Sequence, residues 1–215
     1  SAEEHVSLRF VRRVDELGAP DAIIVPGSKN TVWDLDYLRR CGLADELLFQ
    51  AGKTPLIGIC GGFEMLGGTL FDPDQTESNM GSVPGLGLLA IDFAFQRDKL
   101  VRPCRYSPSP HNPLGDAGDI EGYEIHTGKP LYRGALPLFE SDAGPDGAID
   151  VERQIWGTFV HDLWKNARFT RAFVDWLRVR KGLHKLTSPL PNHSDRFEQS
   201  IERLADAIEA LGIFR

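Results

Sequence analysis

Cysteine is scarce in this chain: Cys41, Cys60 and Cys104 are odd in number and far apart. That excludes a disulfide framework and, with no CxxC spacing, a structural zinc site. Reduced thiols of this kind fit a cytoplasmic protein. Positive charge is also in short supply. Lys and Arg number 24 against 31 Asp and Glu, for a formal net charge of −7, which argues against a general nucleic-acid or anionic-membrane surface. No apolar run reaches the length of a membrane span, and "SAEEHVSLRF" has neither the basic start nor the apolar core of a signal peptide. Internal repeats and long linkers are missing, and so is any GxxxxGKS or GxxxxGKT string that would cradle a phosphate ahead of a helix. What remains is 215 residues, 41% hydrophobic and 26% charged, a balance that builds a sizeable soluble core. One α/β domain is the simplest reading.

The clearest pattern opens at "DAIIVPGSKNTVWDLDYLRR". Residues 22–25 read as a short buried strand closed by Pro26-Gly27, and Thr31 as the cap of a helix with Leu35 and Leu38 on one face. A second helix is expected over 43–51 and a strand over 56–59. Strand, loop, helix, strand, turn, helix predicts a parallel sheet with crossover helices, whose functional loops gather at the carboxyl ends of the strands. Residues 72–119 are rich in Gly and Pro, with one strand expected over 86–93 and an irregular excursion over "RPCRYSPSPHNPLGDAGD". "IEGYEIHTG" and "QIWGTFVHDLW" are β-like. Amphipathic helices are expected over 167–181, with Phe169, Phe173, Trp176 and Leu177 at helical spacing, and over 194–211.

The stretch "PLIGICGGFEMLGG" carries the chemistry. A strand stops at Cys60, two glycines follow, and a helix begins. Gly58-Ile59-Cys60-Gly61-Gly62 has the spacing of the GxSxG elbow, with cysteine for serine. The amino end of the helix is expected to stabilise a thiolate, and the Gly61 N–H to face an oxyanion. The bland alternative is a small buried Cys60 beside glycines that only make a turn. An acyl-transferring thiolate needs a base, usually histidine. Of His5, His111, His126, His161, His184 and His193, His161 ends the β-type run "IWGTFVH" and should reach the same sheet edge as Cys60. His126 ends the shorter "GYEIH"; the other four read as solvated.

Taken together, "PGSKNT", "GICGGFEMLGG", "GLGLL", "GYEIHTG" and "GTFVHDL", in this order over residues 21 to 177, resemble the class I glutamine amidotransferase domain of cobyric acid synthases. The resemblance implies a flavodoxin-like, mostly parallel sheet with flanking helices. It implies Cys60 as the nucleophile that takes the acyl group of glutamine as a thioester, and His161 as base and then acid. Gly27 and Gly61 become oxyanion donors; Glu64, Glu124 and His126 line the glutamine pocket. Members with a full triad carry an acid two residues after the histidine; here that residue is Leu163, so a Cys–His dyad is expected, with Glu124 a candidate to orient His161. Glu64 stands where the family pattern has glutamine. An ionised carboxylate there donates no hydrogen bond and repels the α-carboxylate of the substrate.

The resemblance further implies that residues 1–215 are the single glutaminase domain of a longer synthase. The ATP-dependent synthetase domain that precedes it, on the same or a separate polypeptide, would hold ATP, magnesium and a corrinoid acceptor. No cofactor or metal is expected in this chain itself. "VSLRFV" reads as the second strand of the expected sheet, so the sheet should lack its first strand and expose an edge or apolar surface. Two other readings are a glutaminase subunit of an enzyme amidating a cell-wall lipid precursor, and a degenerate docking module with an unused thiol. A hydrolase or thiol protein on a similar sheet explains the elbow but not the other four motifs.

Overall fold

The computed structural model of the chain describes residues 5–188; the helix expected over 194–211, and His193, lie outside them. Among the described residues, four strands form the first sheet: β1 (Ile23–Val25), β2 (Leu56–Ile59), β8 (Ala148–Asp150) and β9 (Ile155–Thr158), in the order β1-β2-β9-β8. β1, β2 and β9 run parallel, and β8 closes the edge antiparallel. Three helices follow the strands as the sequence suggests: α1 (Thr31–Arg40), α2 (Leu43–Gln50) and α3 (Gly61–Leu66). The fourth, α4 (Ala167–Arg180), covers the opposite face.

Strand alternation divides the core in two. Leu56 and Ile155 join Val32, Leu35, Leu47 and Phe63 beneath α1 to α3. Their neighbours Ile57 and Trp156 join Phe169 and Phe173 beneath α4. Trp156 meets both phenylalanines edge-on, at centroid distances of 6.2 and 6.1 Å. The buried, bulky residues at i and i+4 on α4 are thus what hold it on the sheet.

A second, mostly antiparallel sheet was not foreseen. It contains β3 (Thr69–Asp72), β4 (Gly81–Pro84), β5 (Ile91–Pro108), β6 (Ile120–Tyr132) and β10 (Val160–His161), in the order β10-β6-β5-β3-β4. β7 (Phe139–Glu140) pairs with the far end of β5. The strand expected over 86–93 starts only at Ile91, because the N–H groups of Leu86 and Leu88 are taken by the carbonyls of Met65 and Leu66. It then runs on to Pro108, through the stretch expected to be irregular. From Leu100 to Tyr106, β5 pairs with β6 alone, so Pro103 can turn its missing N–H to the open side. Residues 96–99 bulge out opposite the single residue Thr127.

Two further expectations fail at the amino-terminal side. Residues 6–11 form no strand: Leu8 and Phe10 are 59% and 89% exposed, with no layer over them. The cap of α1 is Asn30, whose side chain accepts from the Trp33 N–H at 2.9 Å; Thr31 is the first helical residue, and its hydroxyl turns inward. Trp33 and Phe49, on α1 and α2, are also exposed, 66% and 63%. No helix among the described residues is long and apolar enough to cross a membrane.

Candidate active site

β2 ends and α3 begins with no loop between them, and the residue on the corner is Cys60. Its backbone sits at φ 52°, ψ −115°, a region a non-glycine residue occupies only under strain. The corner is pinned on both sides: the Cys60 N–H donates to the Thr158 carbonyl at 2.9 Å, and its own carbonyl accepts from the Glu64 N–H at 3.0 Å. Gly62 permits the close packing this needs, since a Cβ there would collide with the Val25 carbonyl oxygen.

The loop "PGSKNT" lies against this corner. The point a Cβ would take on Gly27 is 3.7 Å from Cys60 Cβ, and the Gly27 N–H has no hydrogen-bond partner among the described residues. The Gly61 N–H faces the Cys60 sulfur. Ser28 and Asn30 shape the loop: Ser28 Oγ donates to the Asp34 carboxylate and accepts from the Asn30 N–H at 3.0 Å.

Cys60 is not the thiolate the sequence leads one to expect. Burial pushes its thiol up to about 12, the Glu64 charge adds to this, and the Gly61 N–H and Lys99 pull the other way. α3 has six residues and carries Glu64 in its first turn, so its dipole is too small to offset desolvation. The thiol donates to the Ile125 carbonyl oxygen at 3.6 Å.

His161 is placed by a route other than the one expected. The run "IWGTFVH" breaks after Thr158, and His161 leaves the first sheet to pair in β10 with Tyr123 of β6. Asp146, 4% exposed, makes the break: it accepts from the Thr158 hydroxyl and from the Phe159 N–H at 3.2 Å, while Thr158 Oγ1 accepts from the Val160 N–H at 3.0 Å. No motif in the sequence pointed to Asp146. Burial draws the His161 imidazole below its usual range, Asp162 opposes this and Lys99 reinforces it, so the ring is a neutral base at pH 7. Its Nε2 is buried without a hydrogen-bond partner.

Glu64 is 3% exposed. It receives the Thr31 hydroxyl at 2.6 Å and the Gly128 N–H. Burial raises its carboxyl to about 8; the Thr31 hydroxyl opposes the rise and the Glu77 charge supports it. At pH 7 Glu64 is therefore mostly a neutral acid, with one oxygen to accept and one O–H to donate, as a glutamine amide has an acceptor and a donor. The expected repulsion of a substrate carboxylate does not arise in that state. His126 completes the support: its Nδ1 lies 2.7 Å from the Gly128 carbonyl oxygen, and its ring lies flat on Phe159 with centroids 3.7 Å apart.

Glu124 does not orient His161. The ladder pairs Val160 with Glu124 and His161 with Tyr123, which puts Glu124 and His161 on opposite faces. Both oxygens of Glu124 are engaged, one by the Tyr106 hydroxyl and one by Arg102 Nε, each at 2.5 Å. Asp162 turns to Lys165 at 2.5 Å. The residue that does touch the imidazole is Tyr123, which the sequence offered only as a letter inside "GYEIH". His5, His111 and His184 are exposed, and Cys41 and Cys104 are free thiols elsewhere.

The fold is similar to that of solved glutamine amidotransferases. One such crystal structure matches at a TM-score of 0.58 over 80% of this chain and 86% of that one, at 18% identity. PurLQS from Thermotoga maritima matches at 0.55 over 77% and 84%, at 16% identity. Residues 1–169 match the CobB/CobQ-like glutamine amidotransferase domain, and the chain belongs to that family. It is 41% identical to a cobyric acid synthase of Desulforamulus reducens over 94% of its own length and 42% of the relative's. A cobyric acid synthase of Synechococcus is 40% identical, over 97% and 42%. The adenosylcobalamin biosynthesis bifunctional protein CobDQ of Leptospira interrogans is 37% identical, over 95% and 23%. The chain thus spans less than half the length of these relatives.

Proposed function

We propose that this chain hydrolyses glutamine through Cys60 and supplies the ammonia for ATP-dependent amidation of a corrinoid carboxylate. The observation that carries the reading is the strained Cys60 corner, with the Gly61 N–H facing the sulfur and Gly27 packed against the Cys60 side chain. In the first half-reaction the thiol proton passes to His161 as Sγ attacks the side-chain carbonyl carbon of glutamine. The oxyanion takes the N–H groups of Gly27 and Gly61. His161 then returns the proton to the departing nitrogen, ammonia leaves and a thioester remains. Water, activated by His161, cleaves the thioester to glutamate and frees the thiol. Glu64, Glu124 and His126 shape the wall of the glutamine pocket.

The amidating half belongs to a synthetase domain, on the same or a separate polypeptide, that precedes this one. It would hold ATP, magnesium and the corrinoid, and ammonia would pass between the two sites. The cobyric acid synthase relatives, more than twice as long as the match, support this division of labour.

One observation favours a second reading, a docking module with an idle thiol. Cys60 and His161 share no hydrogen bond, and the Cys60 thiol is held high by burial. Catalytic hydrogen bonds in empty sites often tighten only when substrate arrives. A thiol-alkylating glutamine analogue separates the readings: selective labelling of Cys60 over Cys41 and Cys104, blocked by excess glutamine, supports the glutaminase. Labelling no faster at Cys60 than at the other two supports the docking module.

A further inference from the structure

The imidazole of His161 has no acid to orient it. Leu163, where a triad would have its carboxylate, is 2% exposed in the apolar core. Glu124 projects from the other face of the ladder, and Asp162 is turned to Lys165. Among the described residues the ring makes no hydrogen bond, and its buried Nε2 is unpartnered. What it does have is Tyr123. The two residues are directly opposite in the β6/β10 ladder, and their rings lie nearly parallel, 12° apart, with centroids at 5.0 Å. That is the offset-stacked geometry aromatic rings prefer.

We propose that Tyr123 is the positioning residue of the catalytic histidine, and that its ring face does the orienting an acid does in a triad. The inference rests on His161 being the base. A flat neighbour on one side restricts rotation of the imidazole about its Cβ–Cγ bond and keeps Nε2 in the buried plane. The same face is electron-rich, so it favours the imidazolium formed when His161 takes the thiol proton. Among the described residues the Tyr123 hydroxyl makes no hydrogen bond, so the ring rather than the O–H is the working part. Tyr123 is 39% exposed, so truncating it opens no sealed cavity.

The test uses the full-length synthase carrying Tyr123→Phe, Tyr123→Val or His161→Ala, with glutamate release measured against pH. Val keeps strand propensity while removing the ring, and thermal melting of each variant checks folding. Tyr123→Phe should stay within about twofold of wild type, because it keeps the face. Tyr123→Val should lose on the order of 10- to 100-fold in kcat with KM little changed, because binding is intact and the base is misplaced. Its acid limb should move to lower pH, since the imidazolium loses its aromatic neighbour. A second readout needs no variant: in the wild-type protein the His161 ring C–H resonances should be shifted upfield by the Tyr123 ring. Tyr123→Val with wild-type kcat, or His161 C–H resonances at unshifted positions, overturns the proposal while leaving His161 as base. Activity surviving in His161→Ala overturns the base assignment and the proposal with it.

Discussion

Thr31 and Glu64 lie 33 positions apart and meet through a buried hydrogen bond of 2.6 Å. The contact ties the first turn of α1, just after the loop holding Gly27, to the helix that begins at Cys60. Gly128 N–H reaches the same carboxyl from β6. Three segments that the sequence keeps apart therefore converge on one acid.

The stability of the protein should depend on this acid with a definite sign. The folded state holds the Glu64 proton up to about 8, whereas the unfolded chain releases it near the ordinary carboxyl value of 4.5. The contribution is fully present below pH 4.5 and is lost as pH rises towards 8. Asp146, raised to about 7 by burial, acts in the same direction. Glu64→Gln should match wild type in unfolding free energy below pH 4.5 and exceed it increasingly up to pH 8, by an amount on the order of a few kcal/mol. Parallel pH profiles across that range would contradict the assignment.

Catalysis should carry the same signature. The groups facing Glu64 are the Cys60 thiol on its own helix, Thr31 and Gly128, and the carboxylate of Glu77, itself raised by burial and near Asp72 and Asp34. Ionising Glu64 sets a negative charge beside the thiol, which opposes thiolate formation. The wild-type kcat/KM should fall above pH 8, and in Glu64→Gln this limb should move to higher pH or vanish. The acid limb should lie below 6.5 in both, because it reports protonation of His161. A basic limb unchanged by the substitution would assign it elsewhere.

Gly128→Ala tests the packing around the same acid. A Cβ there would collide with Glu64 Oε1, so the substitution should cost about 1–3 kcal/mol. In a Glu64→Ala background the penalty should shrink, because the colliding atom is gone. Additive penalties in denaturant unfolding would show that the clash lies elsewhere.

Thr158→Val examines the break that delivers His161. It removes the hydroxyl that donates to Asp146 and accepts from the Val160 N–H. A stability loss of about 1–3 kcal/mol is expected from the groups left unpaired. kcat should fall as well, since β10 loses its anchor. Stability lost with kcat intact would mean that the break is structural only.

The elbow was legible because every rule it follows is local. Leu56 to Ile59 form a buried strand of β-branched and apolar residues, and Cys60 with its two glycines can only be a tight corner. The strand was found at its exact bounds. β5 was not legible: "FQRDKLVRPCRYSP" has charge and two prolines, and only its pairing with β6, from Phe95 with Gly128 to Tyr106 with Ile120, makes it a strand. Local patterns do not report such partners. The break after Thr158 was hidden for the same reason, since Asp146 is set apart from it in sequence and apolar periodicity runs straight through Phe159. The ionisation of Glu64 could not be read either, because a carboxyl takes its charge from burial and neighbours rather than from its letter.

The most direct test of the account is glutamate release from glutamine, measured for wild type, Cys60→Ala and Glu64→Gln, each with and without the synthetase portion supplied. Release should rise when the synthetase portion is present, disappear in Cys60→Ala and persist in Glu64→Gln at pH 7. Silence in the folded wild type with the synthetase portion bound, or release undiminished in Cys60→Ala, would contradict it.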